Sequence, residues 1–131
     1  MRVLDTDTCI EILRGNQRVI ARRETTVDEV ATTWITACEL FYGAAKSIRP
    51  GEQRGTVAAF LASLPVLGFN PDAAVQFGNL KSQLVGQGRP IADADLFIAS
   101  IALAHDAMVV TGNLKHYERI AGLVIEDWIR S

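Results

Sequence analysis

The chain has 131 residues, 49% apolar and 21% charged, so it can bury a real core and is too apolar for a disordered tail. Thirteen basic against 15 acidic residues leave a formal charge of −2, which excludes a global basic field but not RNA, since acids gathered at a site inflate the negative count. No apolar run approaches the ~20 residues that span a bilayer.

In chain order, Arg2 to Leu4 reads as a short buried strand and Asp5 to Leu13 as a helix ended by Gly15-Asn16. Residues 17 to 24 continue as a polar helix with a basic face of Arg18, Arg22 and Arg23. Thr32 to Ile35 is β-rich, and Thr36 then caps a helix with Glu39 at its third position, the capping-box spacing. Pro50-Gly51 breaks the chain, a helix follows to about Ser63, and Pro65 to Phe69 is a strand. Asn70-Pro71-Asp72 opens a helix that Gly86-Gln87-Gly88 stops. Asp93 to His105 is an apolar helix, Ala107 to Thr111 a strand, 114 to 120 a short helix, and Leu123 to Ile125 a last strand. Alternating strands and helices predict an α/β fold with a central parallel sheet, as one domain over residues 1–131. Cys9 and Cys38 lie in apolar segments without a metal-ligand neighbour and are expected as buried thiols of a reducing compartment. The N-terminus has no charged-then-apolar leader pattern. The expectation is a soluble, cytoplasmic protein with no membrane partner.

Four clusters place a carboxylate or its near-equivalent where an apolar segment ends or a helix begins. Val3-Leu4 runs into Asp5-Thr6-Asp7; Glu39 follows Trp34-Ile35; Asp93 and Asp95 follow Ile91; Val109-Val110 runs into Thr111-Gly112-Asn113. In an open α/β sheet these positions share the edge where ligands bind. Two unit charges ~4 Å apart repel by about 4 kcal/mol at an effective dielectric near 20, so gathered carboxylates raise one another's pKa or recruit a cation. Oxygen-only ligation suits Mg²⁺ or Mn²⁺, which activates water and stabilises charge on a phosphodiester. Structural roles stand beside these: Asp5 as an N-cap, Glu39 in a capping box, Asp93 and Asp95 complementing a helix dipole. Of the last two, Asp93 is the better cap and Asp95 the better ligand. His105, near a helix end, reads as a dipole partner.

The chain resembles the PIN-domain ribonucleases, and within them the VapC toxins of bacterial toxin–antitoxin pairs. The matching segments are Val3-Leu4-Asp5-Thr6, Glu39-Leu40-Phe41-Tyr42-Gly43-Ala44, Gly88-Arg89-Pro90-Ile91, Asp95-Leu96-Phe97-Ile98-Ala99, Val110-Thr111-Gly112-Asn113 and Gly122 to Trp128, in the family's order. The resemblance implies a three-layer α/β/α domain and Mg²⁺- or Mn²⁺-dependent cleavage of RNA, often tRNA, by a water-derived nucleophile. It assigns Asp5, Glu39 and Asp95 as the principal catalytic and metal-binding acids. The family commonly adds an acid after the Val-Thr strand, where this chain has Asn113 and His116, so the resemblance does not extend to a complete second metal site. Asp7, where the family often has asparagine, is a candidate compensating acid, with Asp93 and Asn113 as further support. Substrate contact is expected from Arg89, Lys115, Thr111, Asn113 and His116, and on the wider rim from Arg14, Arg23 and Lys81. The implied partners are RNA, a VapB-type antitoxin whose tail occupies a groove of the toxin, and a second copy of the chain; Trp34, Phe41 and Tyr42 fit a groove wall and core packing equally well.

Two rivals remain open. Asp5-Thr6-Asp7-Thr8 also looks like the start of a haloacid-dehalogenase-type phosphatase, but that motif wants Thr or Val at Cys9 and an acidic pair that residues 107 to 113 do not supply. The missing fourth acid also suits a PIN-like protein-binding module that no longer cuts.

Overall fold

A computed structural model describes residues 1–131. Five strands, β1 (Arg2–Leu4), β2 (Val30–Thr33), β3 (Val66–Leu67), β4 (Met108–Val110) and β5 (Ile125–Glu126), form one all-parallel sheet in the order β3–β2–β1–β4–β5. In register, Val3 sits between Ala31 and Val109, and Val110 pairs with Glu126. The helices are α1 (Thr6–Leu13), α2 (Gln17–Thr25), α3 (Trp34–Ala45), α4 (Pro50–Leu61), α5 (Pro71–Gly86), α6 (Asp93–Ala104) and α7 (Leu114–Tyr117). None is long and apolar enough to cross a membrane.

The period of two in a strand divides the core. Val3 and Val109 point into a cluster with Leu80, Leu84, Leu96 and Ile98 of α5 and α6. Their neighbours Leu4 and Val110 point the other way, against Cys9, Val19, Leu40 and Val57 of the first four helices and Trp128. Three layers result, with the sheet covered on both faces and its strands apolar on both sides. The chain winds outward from β1 through β2 to β3, then crosses back to β4 and β5. The direction therefore reverses between β1 and β4, and the crevice beyond the carboxyl ends of those two strands is the topological switch point.

Several local expectations are corrected. The cap of α3 is Thr33, whose Oγ1 accepts from the Thr36 amide at 3.2 Å; Thr36 is a buried residue within the helix, so no capping box forms. Pairing of β2 with β1 ends at Ala31 and with β3 at Thr33, and the helix starts directly after. Asp93 does not cap α6: the capping position is Ala92, and Asp93 pairs instead with Lys81 at 3.0 Å. Cys9 is buried, its thiol pushed up to about 12 by burial, but Cys38 is exposed. The inward stripe of α3 is Ala37, Leu40 and Ala44, and Cys38 falls to one side of it. The last strand starts two residues and ends one residue later than expected, because Glu126 is held in the sheet by Arg2, Arg22 and the Trp128 indole. Arg18, Arg22 and Arg23 are structural: the first two bind carbonyls of residues 129 to 131, and Arg23 binds Ser63. His105 closes α6, its Nδ1 2.9 Å from the Ile101 carbonyl.

Candidate active site

Asp5 follows β1 directly and occupies the N-cap of α1 in extended conformation. Only 4% of it is exposed. Its Oδ1 accepts from the Thr6 amide at 2.8 Å, and its Oδ2 accepts from the Thr111 hydroxyl at 2.8 Å, across the switch point from the end of β4. Thr111 accepts in turn from the Asn113 amide at 2.9 Å. Burial, and next the negative charge of Asp7, push the Asp5 carboxyl up to about 6; the hydrogen bonds from Thr111 and Thr6 offset part of this, and Asp95 adds to it.

Asp7, on the first turn of α1, accepts from the Gly112 amide at 2.8 Å and so ties the β4 loop to the helix. Burial raises its pKa as well. Room at Gly112 is tight, since a Cβ there would lie 3.0 Å from Asp7 Oδ2 and from the Ile129 side chain. Glu39, exposed on the second turn of α3, is reached by Thr6, which donates to its Oε1 at 2.8 Å while lying 3.0 Å from the Thr36 hydroxyl. Thr6 therefore links Asp5 through its amide and Glu39 through its hydroxyl.

Asp95, half-buried near the start of α6, has Oδ2 2.7 Å from His116 Nδ1, and that nitrogen is 2.8 Å from the Asn113 side-chain amide. One ring nitrogen cannot donate and accept at once. A proton on Nδ1 donated to Asp95 requires Asn113 to turn its oxygen toward the ring, an orientation of the same shape. His116 and Asn113 thus hold Asp95 rather than replacing a fourth acid.

The sheet edge brings together Asp5, Asp7, Glu39, Asp95, Thr111, Asn113 and His116. Asp93 stays on the exposed rim with Lys81, and Arg89 and Lys115 are exposed there without ion pairs. Tyr42 and Arg14 line a groove of about 600 Å³ that runs from Thr6 and Glu39, whereas Trp34 and Phe41 do not line it. Two residues at this edge carried no functional signal of their own in the sequence. Thr6 was visible only as part of a motif, and Tyr117 only as an aromatic beside His116; its buried hydroxyl makes no hydrogen bond of ordinary length and angle within the protein.

The donor set fits a hard divalent cation. No Lys, Arg or His nitrogen lies within 4 Å of Asp5, Asp7 or Glu39, so a buried, raised carboxylate faces like charge with no protein cation to neutralise it. No three His, Cys, Asp or Glu side chains come close enough together to hold one ion at once. A cation that takes one or two carboxylates and keeps several waters, as Mg²⁺ does, needs no such triad.

An α/β/α domain with carboxylates gathered at the β1–β4 switch point defines a PIN domain, and the family model of that description matches residues 2–123. The chain is 36% identical over 127 residues to the tRNA(fMet)-specific endonuclease VapC of Salmonella typhimurium, covering 96% of each. It is 32% identical over 128 residues to a Ribonuclease VapC of Haemophilus influenzae, covering 97% of each. The crystal structure of DNA-bound VapBC from Salmonella typhimurium superposes with a TM-score of 0.91 at 35% identity over 97% of both chains. That of VapBC-1 from Haemophilus influenzae gives 0.89 at 31% identity over 97% of both. The chain belongs to the PIN-domain family, in its VapC branch. The phosphatase alternative falls with this assignment.

Proposed function

We propose that residues 1–131 form a single divalent-metal-dependent endoribonuclease domain, the toxin of a VapBC-type pair, cleaving tRNA or other structured RNA in the cytoplasm. The observation that carries this reading is the buried Asp5 carboxylate, raised by its surroundings and by the neighbouring acids, with no Lys, Arg or His nitrogen within 4 Å of it. The names of the relatives, an endonuclease specific for tRNA(fMet) and a ribonuclease, support the choice of RNA.

In this reading Asp5 and Asp95 hold Mg²⁺ or Mn²⁺, with Glu39 beside them, and Asp7 adds negative charge. When bound, the cation supplies Lewis acidity to a phosphodiester oxygen and an acidified water. Thr111 and Thr6 orient Asp5, Thr6 orients Glu39, and His116 with Asn113 orients Asp95. Arg89 and Lys115 meet RNA phosphates from the rim, where exposed cations release counterions on binding. The groove beside Glu39 has an apolar floor of Ile10, Leu13, Leu40 and Val57, which suits an antitoxin segment, and association as a homodimer belongs to the same proposal.

The test is cleavage of total RNA by purified protein under Mg²⁺ and Mn²⁺ titration, with cut sites mapped. Discrete cuts that vanish with EDTA are expected, and Asp95→Ala should lose at least about 100-fold, the loss of a few kcal/mol of charge stabilisation. Cleavage that survives EDTA and the substitution refutes the metal mechanism; no cleavage by wild type, with antitoxin binding intact, leaves the protein-binding module.

A further inference from the structure

Tyr117, at the end of α7, is fully buried among Val3, Leu80, Leu96, Val109 and Ile120. Its hydroxyl is the one buried side-chain polar atom of the chain that makes no hydrogen bond of ordinary length and angle within the protein. A phenol placed against apolar neighbours is destabilising unless something accepts its proton, and buried polar groups in folded proteins are met by protein, water or an ion. The ring alone would pack as well as phenylalanine.

The hydroxyl is turned toward the acidic edge. Burial is the main reason its pKa lies far above the usual tyrosine range; the negative charges of Asp5 and then Asp95 come next, followed by a hydrogen-bonding approach to the Asp5 carboxylate, with Asp7 last. It is a donor facing carboxylates, close to Asp5 but short of a fully formed hydrogen bond to it. Asp5 already accepts from Thr6 and Thr111, and Asp95 from the His116 ring through one oxygen only, so both keep lone pairs for a further donor. A buried water is stable where it finds two to four polar partners, and Tyr117, Asp5 and Asp95 supply three.

We propose that Tyr117 is a positioning residue of the acidic site, its hydroxyl donating to a water that Asp5 and Asp95 also hold, and so fixing the oxygens offered to a divalent cation. The inference rests on the metal-dependent reading above. It gives the core face of the sheet a direct hold on the ligand set, the kind of outer partner whose loss weakens metal affinity about 10–100-fold.

The experiment is calorimetric titration of Mn²⁺ into RNA-free wild type, Tyr117→Phe and Asp5→Ala, with thermal unfolding of each in EDTA. Tyr117→Phe is expected to bind Mn²⁺ roughly tenfold more weakly while unfolding within a few degrees of wild type. Unchanged affinity overturns the proposal, and a higher melting temperature without an affinity change would identify the hydroxyl as merely unsatisfied. If Asp5→Ala keeps wild-type affinity, the metal-site reading itself fails and Tyr117 fails with it. A crystal structure of the wild type with Mn²⁺ decides the case even where the variant folds poorly: an ordered water joining Tyr117 Oη to Asp5 and Asp95 supports the proposal, and a dry hydroxyl refutes it.

Discussion

Asp5→Asn is expected to inactivate the protein and stabilise it. Asp5 is almost fully buried, and its carboxyl is held at about 6 against an ordinary 3.8. At neutral pH the folded chain therefore carries an ionised group that its surroundings disfavour, by about 3 kcal/mol at 1.36 kcal/mol per tenfold. Because the folded value is raised, the protonated form is the stabilising one: the full contribution is present below 3.8 and is lost as pH rises through about 6. Asparagine removes the charge at all pH and keeps the oxygen that accepts from Thr6. Its amide then faces the Thr111 hydroxyl, which must turn to accept, at a cost of about 1 kcal/mol. The net gain near pH 7.5 is about 2 kcal/mol, a rise in melting temperature of roughly 5–10 °C for a chain of this size. Thermal unfolding of both proteins in EDTA at pH 7.5 and pH 4.5 measures it, and the difference should shrink or vanish at the lower pH. Saturating Mn²⁺ should raise wild type and leave the variant in place. A difference that does not change with pH, or a variant less stable than wild type at pH 7.5, refutes the argument that Asp5 is a strained carboxylate awaiting a cation.

Asp7→Asn should ease Asp5, raising metal-free stability slightly at pH 7.5 while weakening Mn²⁺ binding; unchanged affinity in a calorimetric titration would remove Asp7 from the site. Asp93→Ala breaks a pair that is about half exposed on both sides, so denaturant unfolding should change by less than about 1 kcal/mol and RNA cleavage by less than twofold. Trp128 is fully buried and its indole donates to Glu126, so Trp128→Ala should cost about 3–5 kcal/mol in urea unfolding.

The layers were legible because strand and helix signals alternate and short apolar runs such as Met108-Val109-Val110 are bounded by turn residues. What the sequence hid is where pairing stops. Thr33 and Thr36 are both good caps, and only the extent of β2 against β3 chooses between them. Glu126 looks out of place in a strand until Arg2, Arg22 and Trp128, brought from both ends of the chain, surround it. The acids themselves were legible from their positions and from the family pattern. Their mutual arrangement was not, since the Thr111–Asp5 bond spans 106 residues and the Asp95–His116 contact depends on how α6 and β4 pack. Tyr117 carried no local signal, because a buried aromatic after a short helix is ordinary core.

The corner after β4 decides how many cations the edge accommodates. With His116 in place of an acid, Asp95 receives a donor where a second carboxylate would have repelled it. Asp7 restores negative charge on the other flank, yet its Oδ2 is fixed by the Gly112 amide and Glu39 Oε1 by Thr6. A pair of ions ~3.5–4 Å apart needs shared carboxylates between them. The acids here are each held by a separate donor, and no three of them close on one point. One Mn²⁺ per chain is therefore the expected stoichiometry in calorimetry of the RNA-free protein, and His116→Asp should permit a second, weaker one. Two ions bound by wild type would mean that Glu39 and Asp7 leave Thr6 and Gly112 to reach them, and that the hydrogen bonds holding these carboxylates apart are weaker than the cation's attraction.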